Sequence, residues 1–172
     1  MGDGTSDGLA TLTGRALADE LREAFGRVEH CLGQLTDEQA WGRPRADLNS
    51  VGNLVLHLAG NVRQLIVGEV GGGPTDRDRQ AEFDERGPVP RAELLARLRA
   101  AVDAAAAVLT GQTAAGWARR CAFRGQPATA LGLAVRSVAH FRGHAQEVIH
   151  LTRSALGDAY RFAGPPPGGP RA

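Results

Sequence analysis

The sequence predicts an all-α protein, a four-helix bundle with a long crossover between its second and third helices. Three observations carry that expectation. Apolar residues recur with a helical period of three and four through four separate segments. The longest connection, Gly68 to Pro90, falls between the second and third of them. Polar stripes bearing histidine run along the second and fourth segments, each flanked by apolar residues, a pattern suited to a site inside a bundle core.

The first helix is expected from about Gly14 to Gln34, where Leu17, Leu21, Phe25, Val28 and Leu32 step along one stripe. Residues 1–13 read as a flexible tail. His30 lies just off the stripe and reads as a solvated or hydrogen-bonded histidine. Thr36 to Leu48 reads as a connection holding Trp41 and Pro44, closed by Asn49 and Ser50, either of which can cap the next helix.

The second helix then runs to about Val67. On a wheel of about 100° per residue centred on His57, Asn53, Asn61 and Gln64 fall within roughly 40° of it. Val51, Leu54, Leu58, Val62 and Ile66 fill one flank, and Leu56 and Val67 the other. Only the arc around Gly52 and Arg63 looks solvent-facing, so His57 points into the bundle. The Gly68–Pro90 stretch is long for an unstructured connection and reads equally as a solvated crossover or a substrate loop.

A third helix starts near Pro90, a favoured first-turn residue, and continues through Leu94, Leu98, Val102 and Leu109. Gly111 to Pro127 reads as an irregular connection containing Trp117 and Cys121. The fourth helix spans about Ala128 to Leu156, and residues 157–172, rich in Gly and Pro, read as a disordered tail. One domain, residues 14–156, accounts for the whole core.

Within the fourth helix, His140 and His144 stand one turn apart and project from one face. Two imidazoles can share an ion, but such a centre takes a third protein ligand, and His57 is the residue in place to supply it. Glu147 and Arg136 lie near the same line, each set to orient a ligand imidazole or to form a salt bridge at the bundle edge. His150 falls on the solvent arc with Arg142, Gln146 and Arg153. Gly143, costly by about 1 kcal/mol inside a helix, suggests close packing or ligand approach.

Other metal motifs fail on the letters. His140-Phe-Arg-Gly-His144 has phenylalanine where a zincin places its glutamate. The single pair Glu147-Val-Ile-His150 is half of what a di-iron bundle requires.

Composition excludes further classes. The 20 basic and 19 acidic residues nearly cancel, leaving a net charge of +1, so no nucleic-acid tract or membrane patch is expected. Every basic residue is arginine, which rules out chemistry needing a lysine amine and, with abundant Ala and Gly, suggests a bacterial source. Cys31 and Cys121 match no disulfide framework and read as small hydrophobes. The acidic, polar start is unlike a secretory signal, so a soluble cytoplasmic protein is expected.

Several motifs together resemble one family: Asn49-Ser50, then His57-Leu58-x-Gly60-Asn61, then Arg77-Asp78-Arg79-x-x-Glu82-Phe83, and finally His140-x-x-x-His144. In this order they are similar to the DinB-like (DinB/YfiT-like) superfamily of metal-dependent bacterial enzymes, and within it to a branch of unknown function. The resemblance implies a four-helix bundle, often dimeric, with one divalent ion on His57, His140 and His144. It also implies a low-molecular-weight thiol, since relatives with known activity include mycothiol-dependent maleylpyruvate isomerases and bacillithiol transferases. Members usually carry a glutamine after a glycine near the second histidine, whereas here Gly143 precedes His144 and Gln146 follows.

The expected function is thiol-dependent transferase or isomerase chemistry on a small electrophile. Asn53, Asn61, Gln64 and Glu147 are expected to contact substrate or support the ligands. Zinc or nickel come first as the metal, then iron, manganese or copper, since imidazole suits several of these ions. A metal-dependent hydrolase and a non-catalytic metal-binding or stress protein are the alternatives.

Overall fold

The computed structural model describes residues 3–74, 76–87 and 89–164. Its long helices are α1 (Asp3–Gln34), α3 (Val51–Val62), α5 (Arg91–Thr110) and α7 (Ala130–Leu156). Short helices α2 (Asp37–Trp41), α4 (Arg79–Asp84) and α6 (Ala114–Ala118) lie in the connections, and strands β1 (Arg120–Phe123) and β2 (Gln126–Thr129) form an antiparallel hairpin. α1 and α3 each pack against both α5 and α7.

The periodic stripes become the core. Leu21, Val28 and Leu32 of α1, Leu54 and Leu58 of α3, Leu94, Leu98 and Leu109 of α5, and Leu133, Phe141 and Val148 of α7 are at most 1% exposed. Each such side chain contributes roughly 1.5–3 kcal/mol by leaving water. Cys31 joins them at 0% exposure, and burial raises its thiol pKa, as suits an inert hydrophobe.

Five boundaries depart from the sequence reading. α1 begins at Asp3, eleven residues before Gly14, because its first turns have a partner: Ala10 is buried, and its carbonyl accepts a 3.2 Å hydrogen bond from Trp117 Nε1. At Gly14 the helix meets the end of α5 so closely that a Cβ would lie 2.2 Å from the Leu109 carbonyl oxygen. Thr36 closes a capping box that turns residues 37–41 into α2. The second long helix continues past Val67 as a π-helix over Arg63–Val70.

Residues 111–127 are ordered rather than irregular. Trp117 on α6 is buried, and the hairpin turns at Arg124 and Gly125, both with positive φ, the type I′ pattern. Past α7, a 3₁₀ turn over Gly157–Ala159 brings Tyr160 back toward His30, whose Nε2 donates to the Arg161 carbonyl at 2.6 Å. The expected disorder of the tail therefore does not extend to residues 157–161; residues 165–172 lie outside the described part.

Gly52, expected on the solvent arc, is buried under Trp41, whose ring atoms would lie 2.9 Å from an added Cβ. The same ring covers Gly87, and its Nε1 donates to Val89 O at 2.9 Å. Trp41 thereby holds the far end of the crossover against the start of α3. No helix among the described residues is long and apolar enough to cross a membrane.

Candidate metal centre

Ser50 is the cap of α3: its Oγ accepts from Asn53 N at 3.1 Å, and Asn53 Oδ1 accepts in return from Ser50 N at 3.2 Å. Asn53 does more than close this box. Its Nδ2 donates to the carbonyls of Glu82 and Glu85, both at 2.9 Å, and Arg43 donates to its Oδ1 at 2.7 Å. With both side-chain polar atoms engaged in this way, Asn53 anchors the crossover segment that reaches His57.

That segment is Arg77-Asp78-Arg79-Gln80-Ala81-Glu82-Phe83. Asp78 caps α4 by accepting from Ala81 N at 3.0 Å, which sets the next turn over the site. Glu82 Oε2 then lies 3.0 Å from His57 Nδ1. Arg77 grips the same carboxylate with both arms, Nε to Oε1 and Nη2 to Oε2 at 2.6 Å, and its Nη1 donates to Gln64 Oε1 at 3.1 Å. The Phe83 ring sits 4.8 Å from that of His57. Burial alone would raise the Glu82 pKa, but bonds and charge from Arg77 and His57 outweigh it and hold the carboxyl below its ordinary value. Gly60 makes room for this: a Cβ there would lie 1.9 Å from Glu82 Oε1.

His57, His140 and His144 converge across the bundle. His57 Nε2 is 3.0 Å from His140 Nε2, the three ring centroids are 4.5 to 5.2 Å apart, and one ligand atom from each lies within 4.8 Å of the others. A tetrahedral zinc-type ion, with metal–nitrogen bonds of about 2.0–2.1 Å, needs nitrogens roughly 3.3 Å apart; the 3.0 Å between His57 and His140 is close to that, and all three ligand atoms lie within 4.8 Å.

Tautomers favour the same use. Glu147 Oε2, 2.8 Å from His144 Nδ1, is placed to accept a proton there; at His57 Nδ1 the Glu82 carboxylate, at 3.0 Å, and the Arg77 guanidinium, at 2.9 Å, meet the same atom, and a proton on Nδ1 serves the carboxylate, which Arg77 already neutralises. In that tautomer each histidine turns an Nε2 lone pair toward the others, as metal-bound imidazoles need. The pKa of His140 is lowered to about 4, by burial first and then by the charges of its neighbours, so it stays neutral at pH 7. The donor set fits a divalent ion.

Of the other residues singled out, Asn61 accepts from Ser137 Oγ at 3.0 Å and ties α3 to α7 one turn beyond the histidines. Asn61 and Gln64 line a cavity of about 410 Å³ that also touches His57, His140, Phe123 and Arg124. Among the described residues Arg136 neither hydrogen-bonds a triad histidine nor forms a salt bridge; its guanidinium stacks on Phe123 at 4.8 Å. His150 is exposed. No neighbour lies within 4 Å of a Cβ placed on Gly143, so close packing does not explain that glycine.

Arg77, Glu82 and Phe83 were legible only as part of a motif. Their alternating charges read as a solvated loop, and the one local clue was Asp78, a helix cap with no apolar run behind it.

Fold and site together define a helical-bundle protein whose histidine triad, buried at His57 and partly buried at His140 and His144, could hold a metal ion. The sequence profile of the DinB superfamily matches residues 20–148, and the chain belongs to that superfamily. Among solved structures, a conserved protein from Enterococcus faecalis superposes with a TM-score of 0.68 at 17% sequence identity, over 83% of this chain and 96% of that one. At that identity the likeness is one of fold. No curated protein matches the chain.

Proposed function

We propose that this protein is an enzyme in which His57, His140 and His144 hold one divalent ion, zinc or nickel first, and which joins a low-molecular-weight thiol to a small electrophile or uses it to isomerise one. The observation that carries this reading is the pair of carboxylates, Glu82 and Glu147, each set on the Nδ1 of a triad histidine beside an open cavity. A divalent ion on three neutral imidazoles keeps its full charge and a free position, which acidifies a thiol or water bound there.

The chain's own residues supply the rest. Glu82 and Glu147 orient two ligands and raise their basicity. Arg77 neutralises Glu82 in a buried place where a lone carboxylate would be costly. Asn61 and Gln64 present polar atoms on the cavity wall. Phe83 covers the His57 ring and keeps water from that side.

Elemental analysis of untagged protein purified without added metal, followed by thiol titration of the loaded form, tests this. About one equivalent of divalent ion and a bound thiol ionising near neutral pH are expected. Metal-free protein that takes up no ion on dialysis, or a thiol titrating as it does in water, would overturn it.

A further inference from the structure

The cavity beside the triad is charged. Arg77, Arg79 and Arg124 line it, against the single lining acid Glu69. Arg77 is spent on Glu82. Arg79 and Arg124 meet no carboxylate at ion-pair distance among the described residues; each lies on an aromatic face, Arg79 on Phe83 at 4.7 Å and Arg124 on Phe123 at 5.2 Å. Stacked in that way, a guanidinium keeps its edge donors available for oxygen ligands.

Arg124 also occupies an improbable backbone. Its φ is +50°, and it is the one non-glycine residue with positive φ among those described. The first place in such a hairpin turn favours Asn, Asp or Gly, and a left-handed conformation costs other residues roughly 1–2 kcal/mol. Turn chemistry does not account for an arginine here, whereas a role for its side chain at the cavity rim does. Phe123, next to it, receives Arg136 at 4.8 Å as well as Arg124, so its ring is held in place at the wall.

We infer that the cavity takes a small substrate bearing an anionic oxygen group, a carboxylate or a phosphate, recognised by Arg79 and Arg124 with the substrate's body against Phe123. This deepens the proposed function and rests on the same cavity. Arg79 and Arg124 are exposed and, among the described residues, in no ion pair, so they can be replaced without disturbing the core.

Equilibrium dialysis of benzoate, phenyl phosphate and benzamide against the full chain at about 0.15 M salt tests this, with metal content measured on the same samples. Benzoate or phenyl phosphate should bind at least tenfold more tightly than benzamide, and the tighter of the two identifies the group. The preference should fall below threefold in the Arg79→Gln/Arg124→Gln double variant and persist in Arg22→Gln, a control at an exposed site on α1. Equal binding of all three probes, or a preference that survives the double variant, overturns the inference. Metal-loaded protein without the preference overturns this inference alone. An Arg79- and Arg124-dependent preference in protein that takes up no ion supports it and overturns the catalytic reading instead.

Discussion

Glu82 Oε2 lies 3.0 Å from His57 Nδ1, joining a carboxylate on the crossover to an imidazole on α3. Because Arg77 and Asn53 fix that carboxylate and its backbone, the crossover is a wall of the site.

Replacing His57 or His144 with alanine should abolish metal loading, since two nitrogens remain for an ion that takes three protein ligands. Elemental analysis reads the loss, and circular dichroism should still report the helical fold. Normal metal content in both variants would sink the triad.

Glu82→Ala should weaken metal affinity about 10- to 100-fold, the usual effect of removing a carboxylate behind a ligand histidine. It should also cost about 3 kcal/mol, because the Arg77 side chain, only 8% exposed, is left without its counter-ion. Chelator competition and urea melts measure the two effects. Adding Arg77→Ala should recover part of the stability and none of the affinity.

Two glycines should respond with opposite sign. Gly60→Ala puts a methyl 1.9 Å from Glu82 Oε1, displacing the carboxylate and lowering metal affinity with every ligand intact. Gly143→Ala has open space around it and should stabilise α7 by up to about 1 kcal/mol. Thermal melts and metal titrations of both variants decide it.

Acid should weaken the metal-free protein. The His140 imidazole titrates at its ordinary 6.5 when unfolded and about 4 when folded, so between these values the unfolded chain binds a proton that the native state refuses. Stability is therefore full above about pH 6.5 and falls as the pH drops toward 4. With the group partly exposed and screened, the loss should be about 1–2 kcal/mol. Urea midpoints of the metal-free protein at pH 7 and pH 4.5, compared with His140→Gln, isolate the contribution.

Deleting residues 1–13 should lower stability by about 2 kcal/mol, since Trp117 loses the carbonyl of Ala10 and its apolar cover. The tryptophan emission should shift to the red. An unchanged melt would restore the tail reading.

Much of the fold was legible because helical burial is periodic: residues such as Leu54, Leu58, Phe141 and Ala145 mark a buried face through spacing alone. Periodicity fails where a segment is short or its partner is distant. The first turns of α1 carry Leu9 and Leu12 exposed, at 67% and 64%, while Ala10 is buried; no stripe marks that turn, and Trp117 packs there. Gly52 has no side chain to signal burial, so the ring of Trp41 over it was invisible on a wheel. The hairpin at 120–129 is too short for alternation to register, and its turn carries Arg124 where turn chemistry calls for Asn or Gly.

By itself the sequence determined the helical class, the inward stripes, and the one-turn spacing that aligns His140 with His144, since each follows from backbone geometry over a few residues. Tertiary structure alone decided that His57 meets that pair across the bundle, that Glu82 reaches its Nδ1, and that Arg79 and Arg124 share its cavity. Those relationships join residues from about 20 to more than 80 positions apart, and at that range packing and charge pairing, which no local period encodes, choose the neighbours.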